Sequence, residues 1–426
     1  MAIVVGGLLV WWSILVGAKK IRFEFGIRSI WPFIFLFMVP IIWAAVQTLS
    51  LTPHDWHHPL WANAGKILGI DVLGAISLRP VATVSSLIKL LTYGSIFWLS
   101  LNFSRDPLRA RQVIRTIGIA GIIYATYGLL VEFSGSQTIL WFDKYVYKND
   151  LTSTFVNRNS YATYAGLGLI CVTGILYNLF SGISGPNVNW RESTRHILES
   201  FFPWNWFFVL GWNFLFTALL LTHSRAGFMS TVVGLTVLVS ALSFKVFTSR
   251  RRAMAISAAP IIIFGGFFAI SGEGLDQRLA KALTGQDLRP LIYERTLEAI
   301  KSAPFLGSGY GSFEDVFRIH RSDDINVFVL RAHSTYLEVI LELGLPAALS
   351  LFVVFAGMLV LTFQGIRRRR RAVIYPAIGF AATILVATHS IVDFSLQIPA
   401  VAYTYAAIMG TACAQSWPSN KARDSW

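Results

Sequence analysis

The side chains in this sequence that could do chemistry stand at the ends of long apolar runs. In LLLTHSRAGF, Arg225 sits between two such runs, too deep for an ordinary solvated arginine. An ionisable residue at membrane depth costs roughly 2.5 to 3.5 kcal/mol even on the mild insertion scale, so it needs a reason. A guanidinium fork pairing bidentately with an anionic group is one. In RAHSTYLEVILELG, His333 precedes Ser334, Glu338 and Glu342, which recur at i and i+4 and so share a helix face. An imidazole titrating near pH 6.5 suits a general base at neutral pH, with Glu338 as second choice. Asn157, Arg158 and Asn159 open a further run, and Glu132 closes another. His389 and Asp393 close a third and are expected to be able to hydrogen-bond across one helical turn.

The elements that must hold these residues follow from composition. Of 426 residues, 54% are hydrophobic and 14% charged, with a mean hydropathy of +0.58. Soluble domains carry about 25% charged residues, which argues against a cytosolic enzyme. Apolar runs fall near 2–18, 30–50, 81–101, 113–133, 158–180, 204–222, 226–247, 253–271, 334–363, 372–393 and 399–416. The sequence predicts an all-α polytopic membrane protein with about 11 transmembrane helices and one long outer loop containing short helices. Helices one to eight occupy residues 1–270, the loop 271–333, helices nine to eleven 334–416, and a tail 417–426. The first run lacks the basic start of a signal peptide and is expected to stay as a helix.

The formal charge of +14 does not call for nucleic acid, because basic residues gather in cytoplasmic loops. Five clusters fall on one side: Lys19, Lys20, Arg22 and Arg28; Arg105, Arg109, Arg111 and Arg115; Lys245 and Arg250 to Arg252; Arg367 to Arg371; and Lys421 with Arg423. The N-terminus is then outside and the tail inside, and Arg367 to Arg371 read as a topological anchor in preference to a nucleic-acid or anionic-lipid site. Under this topology every reactive cluster faces the outer leaflet, as an active site at one membrane face requires.

The outer loop holds six arginines, Arg278, Arg289, Arg295, Arg318, Arg321 and Arg331, against the positive-inside trend. Within it LIYERTLEAIKSA reads as an amphipathic helix with Leu291, Ile292, Leu297 and Ile300 near one face, ended by Pro304; EDVFRIHR reads as a second. GSGYGS between them lacks the strand before it and the Lys-Ser/Thr after it that a phosphate-cradling loop needs. His54, Asp55, His57 and His58 read as a wet interfacial loop flanked by Trp56 and Trp61, not as a metal site, and Asp323 with Asp324 as solvated acids. Cys171 and Cys413, the only cysteines, lie in apolar runs and offer neither a disulfide framework nor a metal site.

THSRAGF, RPLIYERTLEAIKSAPFLGSGYGSF and AHSTYLEVILELGLP, in this order and on one membrane side, resemble the O-antigen ligase and polymerase superfamily of bacterial envelope glycosyltransferases. NRNSYATY and HSIVDFSLQIPA extend the resemblance over most of residues 150 to 400. It implies an undecaprenyl-diphosphate-linked glycan as donor and a saccharide acceptor, used at the periplasmic face of the inner membrane. It also implies no nucleotide sugar, no cofactor and no essential metal. By resemblance, Arg225, Arg289 and His333 take the family's functional arginine and histidine positions. Ser334 stands where the family often has Asn, and its hydroxyl can orient the histidine.

A lipid diphosphate is already an activated leaving group, so arginines could replace a divalent metal on it; Arg225 with one or both of Arg289 and Arg295 are assigned there. His333, or secondly Glu338, would deprotonate the acceptor hydroxyl. Asn157, Asn159, Ser334, Tyr336, His389 and Asp393 are assigned to substrate positioning. The expected activity is polymerisation of O-antigen or exopolysaccharide repeat units, because DFSLQIPA is similar to exopolysaccharide members, with ligation to lipid A core as the alternative. Membrane lipids and polysaccharide export proteins are the further expected partners. A lipid-linked oligosaccharide flippase or secondary transporter is the rival from another class. It should show a repeated half and ionisable residues on broken helices at the midplane, and neither is visible in the sequence.

Overall fold

The computed structural model describes residues 1–20, 27–180, 205–246, 249–271, 288–369 and 372–417. Arg22, Arg278, Arg370, Arg371, Lys421 and Arg423, named above for their charge, lie outside the described residues. The described chain is mostly helical. In chain order the helices are α1 (Ala2–Gly17), α2 (Ile27–Val46), α3 (Pro59–Leu68), α4 (Pro80–Phe103), α5 (Pro107–Phe133), α6 (Arg158–Phe180) and α7 (Trp206–Leu221). There follow α8 (Arg225–Val246), α9 (Arg250–Ser271), α10 (Arg289–Ser302), α11 (Phe313–His320), α12 (Thr335–Arg368), α13 (Ile374–His389) and α14 (Pro399–Ser416). Helices α4, α5, α6, α8 and α12 are long and apolar enough to cross a membrane, and α1, α7, α13 and most of α2 are shorter apolar helices. Two strands of two residues each, Thr138–Ile139 and Phe142–Asp143, pair antiparallel between α5 and α6, a small departure from the all-α expectation.

Local sequence sets the helix starts. Asp106 accepts the Leu108 N–H at 2.7 Å ahead of Pro107, which opens α5 with a side-chain cap and a residue that needs no N–H partner. Asn157 caps α6 by accepting the Asn159 N–H at 2.7 Å, and Ser224 Oγ caps α8 by accepting the Gly227 N–H at 3.3 Å.

Contacts divide the chain into two compact units. One comprises Met1–Ser95, Ser271–Met358 and Ser390–Phe394; the other comprises Ile96–Ile270, Leu359–His389 and Ser395–Trp426. In the second, α6 packs against α5, α7, α8 and α13 and buries Tyr161, Leu167, Leu169 and Ile170 completely. Gly121 on α5 faces Gly168 on α6, where an added Cβ would lie 3.4 Å from the opposing Cα. Small residues let the two backbones close together, which matters in lipid, where packing replaces the hydrophobic effect between helices.

In the first unit, α10 and α11 share a core of Ile292, Ala299, Phe313, Val316 and Phe317 with the start of α12. The buried face of α10 runs through Ile292, Thr296 and Ala299, with Leu291 and Ile300 partly covered. Leu297, expected on that face, is 45% exposed. At 3.6 residues per turn it lies about 140° round from Ile292, so the helix carries it outward.

The ninth span, expected over residues 334–363, is a broken helix. Gly344 in α12 has φ 74° and ψ 162°, which leaves neighbouring peptide groups without helical partners. The glycine turn fills them: Ser308 N–H donates to Leu341 O at 3.0 Å, Gly309 N–H to Glu342 O at 3.0 Å, and Leu345 N–H to Pro304 O at 2.8 Å. Gln47, fully buried, adds its amide to Leu306 O and Glu342 O, both at 2.8 Å, and accepts Tyr310 N–H at 3.1 Å. GSGYGS therefore docks on the break in α12, where Gly307 lies against the backbone of residues 342–344, while a Cβ at Gly309 or Gly311 would run into Ser77 or Ser86.

Candidate functional site

In the first unit, His333 lies just ahead of α12 with left-handed backbone, φ 53°. Glu338, one turn into the helix and fully buried, accepts the Arg331 guanidinium at 2.7 Å on one oxygen and the Ala332 N–H at 3.0 Å on the other. Burial alone would lower the Arg331 pKa; the charge and hydrogen bond of Glu338, with Glu342 behind it, leave it raised. Tyr293 on α10 donates its hydroxyl to the His333 carbonyl at 2.9 Å. The Phe394 ring meets the imidazole edge-on, with centroids 5.3 Å apart. Ser334 is buried, and its carbonyl accepts the Glu338 N–H at 3.1 Å. Tyr336 packs edge-on against Phe352 on the same helix. Glu342, the next acid along, accepts the Phe313 N–H at 3.1 Å and so ties α11 to α12.

The two loop arginines sit differently on α10. Arg289 is its first residue and half-buried, on the face of Tyr293 by i,i+4 spacing. Arg295 pairs with Glu298 at 2.7 Å, and that hydrogen bond and charge raise its pKa. Helical rotation puts Arg295 about 200° round from Tyr293. Arg318 and Arg79 pair with Glu314 and Asp315 of α11, respectively.

The second unit holds a chain of buried polar contacts. Ser224 Oγ donates to Asn159 Oδ1 at 2.8 Å, Thr163 Oγ donates to Asn159 O at 3.2 Å, and Thr163 Oγ lies 2.6 Å from His389 Nδ1. This network fixes the turn before α8, from whose first position Arg225 is exposed. His223 in that turn has φ 50°, and its Nδ1 lies 2.8 Å from Asp150, which also takes Arg158 at 2.8 Å. The expected one-turn spacing of His389 and Asp393 is corrected: α13 ends at His389, so no helix connects them. The Asp393 carbonyl accepts the Thr335 hydroxyl at 3.0 Å.

The histidines near residue 55 have local partners. His57 Nε2 lies 3.1 Å from the Thr52 hydroxyl, His58 Nδ1 accepts the Leu60 N–H at 3.3 Å and caps α3, and the His54 and His57 rings meet edge-on. Sequence reasoning missed Tyr293, Asp150, Thr163 and Gln47 as members of these clusters. Tyr293 and Thr163 carried a signal, four residues after Arg289 and Asn159 respectively.

Residues 210–352, about a third of the chain, match the family model described as O-antigen ligase, which bears out the resemblance to the O-antigen ligase and polymerase superfamily. The matched segment contains Arg225, Arg289, Arg295, His333, Ser334, Tyr336 and Glu338, while Asn157, Asn159, His389 and Asp393 fall outside it. The family is one of enzymes, acting on lipid-linked glycans and their acceptors. No curated protein matches the chain.

Proposed function

We propose that this protein is a periplasmic-face glycosyltransferase of the inner membrane that takes glycan from an undecaprenyl-diphosphate-linked donor and polymerises O-antigen or exopolysaccharide repeat units. The observation that carries the reading is that one family-matched segment contains Arg225, Arg289, Arg295, His333 and Glu338. Ligation of the glycan to lipid A core is the second reading, favoured by the description of the matched family.

In this reading His333 takes the proton from an acceptor hydroxyl as that oxygen bonds the anomeric carbon of the donor sugar. The bond from that carbon to the diphosphate breaks, and the lipid diphosphate leaves with the electron pair. Arg225 and Arg289 hold the leaving group and stabilise the charge that grows on it. Arg295, on a different face of α10 from Arg289 and Tyr293, contributes less. Eleven spans, with the N-terminus outside and Arg367 to Arg371 inside, complete the proposed topology. Membrane lipids surround the spans, and export proteins receive the product.

Deleting the gene in its host tests the reading. Loss of polymer with single repeat units left on the carrier lipid is the expected result. Intact polymer on the carrier beside uncapped lipid A would shift the reading to ligase. Movement of a lipid-linked oligosaccharide across proteoliposomes without new glycosidic bonds would replace it with a flippase.

A further inference from the structure

Three elements converge on the peptide units around His333. From α10, the Tyr293 hydroxyl holds the His333 carbonyl at 2.9 Å. From α12, Glu338 holds the Ala332 N–H at 3.0 Å and the Arg331 side chain at 2.7 Å. From residues 390–394, the Ser390 carbonyl accepts the Thr335 N–H at 2.9 Å and the Asp393 carbonyl accepts the Thr335 hydroxyl. The residue they surround is in the left-handed region, which a non-glycine residue keeps only where its surroundings over-determine it. A relaxed backbone at 333 would re-aim the imidazole, because the Cα–Cβ vector turns with φ.

We propose that Tyr293, Arg331 and Glu338 form a brace that positions His333 for proton transfer, and that Tyr293 ties this position to the helix carrying Arg289. The inference rests on the reading of His333 as the base. Glu338 holds the Arg331 guanidinium and the Ala332 N–H, the groups directly ahead of His333, so in this proposal it acts through His333. Arg289 and Tyr293 share a face of α10, so a diphosphate drawn onto Arg289 steadies the same helix that holds the base. The brace thereby couples donor occupancy to the aim of His333. A misplacement of about 1 Å at such a group can cost 100-fold in rate, and the loss falls on turnover more than on donor binding.

The test uses the full-length protein in lipid nanodiscs, with lipid-diphosphate-linked glycan extracted from host cells lacking the gene. Tyr293→Phe removes one hydroxyl and keeps the ring. It should lower turnover about 10-fold and leave the donor KM within about twofold. His333→Ala should lower turnover about 100-fold, and the double variant should be no slower than His333→Ala alone, because the brace then has no base to aim. Losses that multiply in the double variant, with His333→Ala still impaired, overturn the brace and leave the base reading standing. Normal turnover in His333→Ala overturns the base reading and the brace with it. Glu338→Gln supplies a second readout. Turnover should fall yet still rise with pH as the His333 imidazole loses its proton, whereas loss of that rising limb would make Glu338 the proton acceptor and overturn the assignment.

Discussion

The Arg331 guanidinium and the Glu338 carboxylate meet at 2.7 Å, the acid fully enclosed and the arginine 35% exposed. Removing one partner of a buried pair leaves a charge with no compensation, typically worth about 3 to 5 kcal/mol. Because Arg331 reaches solvent, the loss for Arg331→Ala should be nearer 2 to 3 kcal/mol, read as a lower thermal midpoint of the purified protein. Glu338→Gln retains one acceptor oxygen and should lose less. An Arg331→Ala protein as stable as the parent would show that the acid finds another partner.

The break in α12 depends on a residue without a side chain. Gly344 has φ 74° and ψ 162°, and a Cβ there would run into the Phe305 carbonyl. Gly344→Ala should therefore cost more than the roughly 1 to 3 kcal/mol of backbone strain alone and sharply reduce the folded protein recovered from membranes. Recovery and thermal midpoint equal to those of the parent would mean that α12 can run straight and the glycine turn can undock.

His333, Ser334, Glu338 and Glu342 are legible in the sequence because neighbours and helical spacing alone bring them together. The groups that fix them are not. Tyr293 is 40 residues from the carbonyl it holds, Asp150 is 73 from His223, and Gln47 is 295 from Glu342. No local periodicity records such pairs. The break in α12 carries a local signal, Gly344 with Pro346 two residues on, that a hydropathy reading passes over, and the end of α13 at His389 hides within an apolar run. The apolar runs do recur as helices, five of them long and apolar enough to cross a membrane, because a helix satisfies its own backbone and so can follow hydropathy.

Protonation of His58 should loosen α3. Burial, followed by the charge of His320, holds its pKa below the usual 6.5, and the ring caps α3 through an Nδ1 that must be unprotonated to accept the Leu60 N–H. The unfolded chain binds this proton more readily than the folded one, so stability rises with pH across the window below 6.5. The contribution is full above about 6.5 and is lost as pH falls through the depressed folded pKa, with about 1 kcal/mol expected for the cap itself. The parent should show a lower thermal midpoint at pH 5 than at pH 7, with the difference reduced in His58→Asn. Equal pH sensitivity in the two proteins would place it elsewhere.

Cysteine labelling checks the proposed sidedness. Asp324 is exposed in the long loop and Arg368 is exposed near the end of α12. In intact spheroplasts an impermeant maleimide should reach Asp324→Cys, and it should reach Arg368→Cys only after lysis. Ser312 is a poor probe because it is fully buried, with its hydroxyl on Ser308 O and Gly309 O. The reverse labelling pattern would invert the topology and remove the active site from the outer face.

The two arginines of α10 should differ in effect. Arg289 opens the helix on the face of Tyr293, whereas Arg295 lies on a different face. If Arg289 holds the diphosphate, Arg289→Ala loses a charge-assisted phosphate contact and should lower kcat/KM by about 100-fold or more while the protein stays folded. Arg289→Lys should recover only part of this, since an ammonium cannot pair bidentately with phosphate. Arg295→Ala should cost about 10-fold or less, and Arg225→Ala should behave as Arg289→Ala does. The measurement is transfer from purified lipid-diphosphate-linked glycan, with donor affinity followed separately for each variant. A larger loss at Arg295 than at Arg289 would exchange their roles and show that the face of α10 opposite Tyr293 is the one that meets the donor.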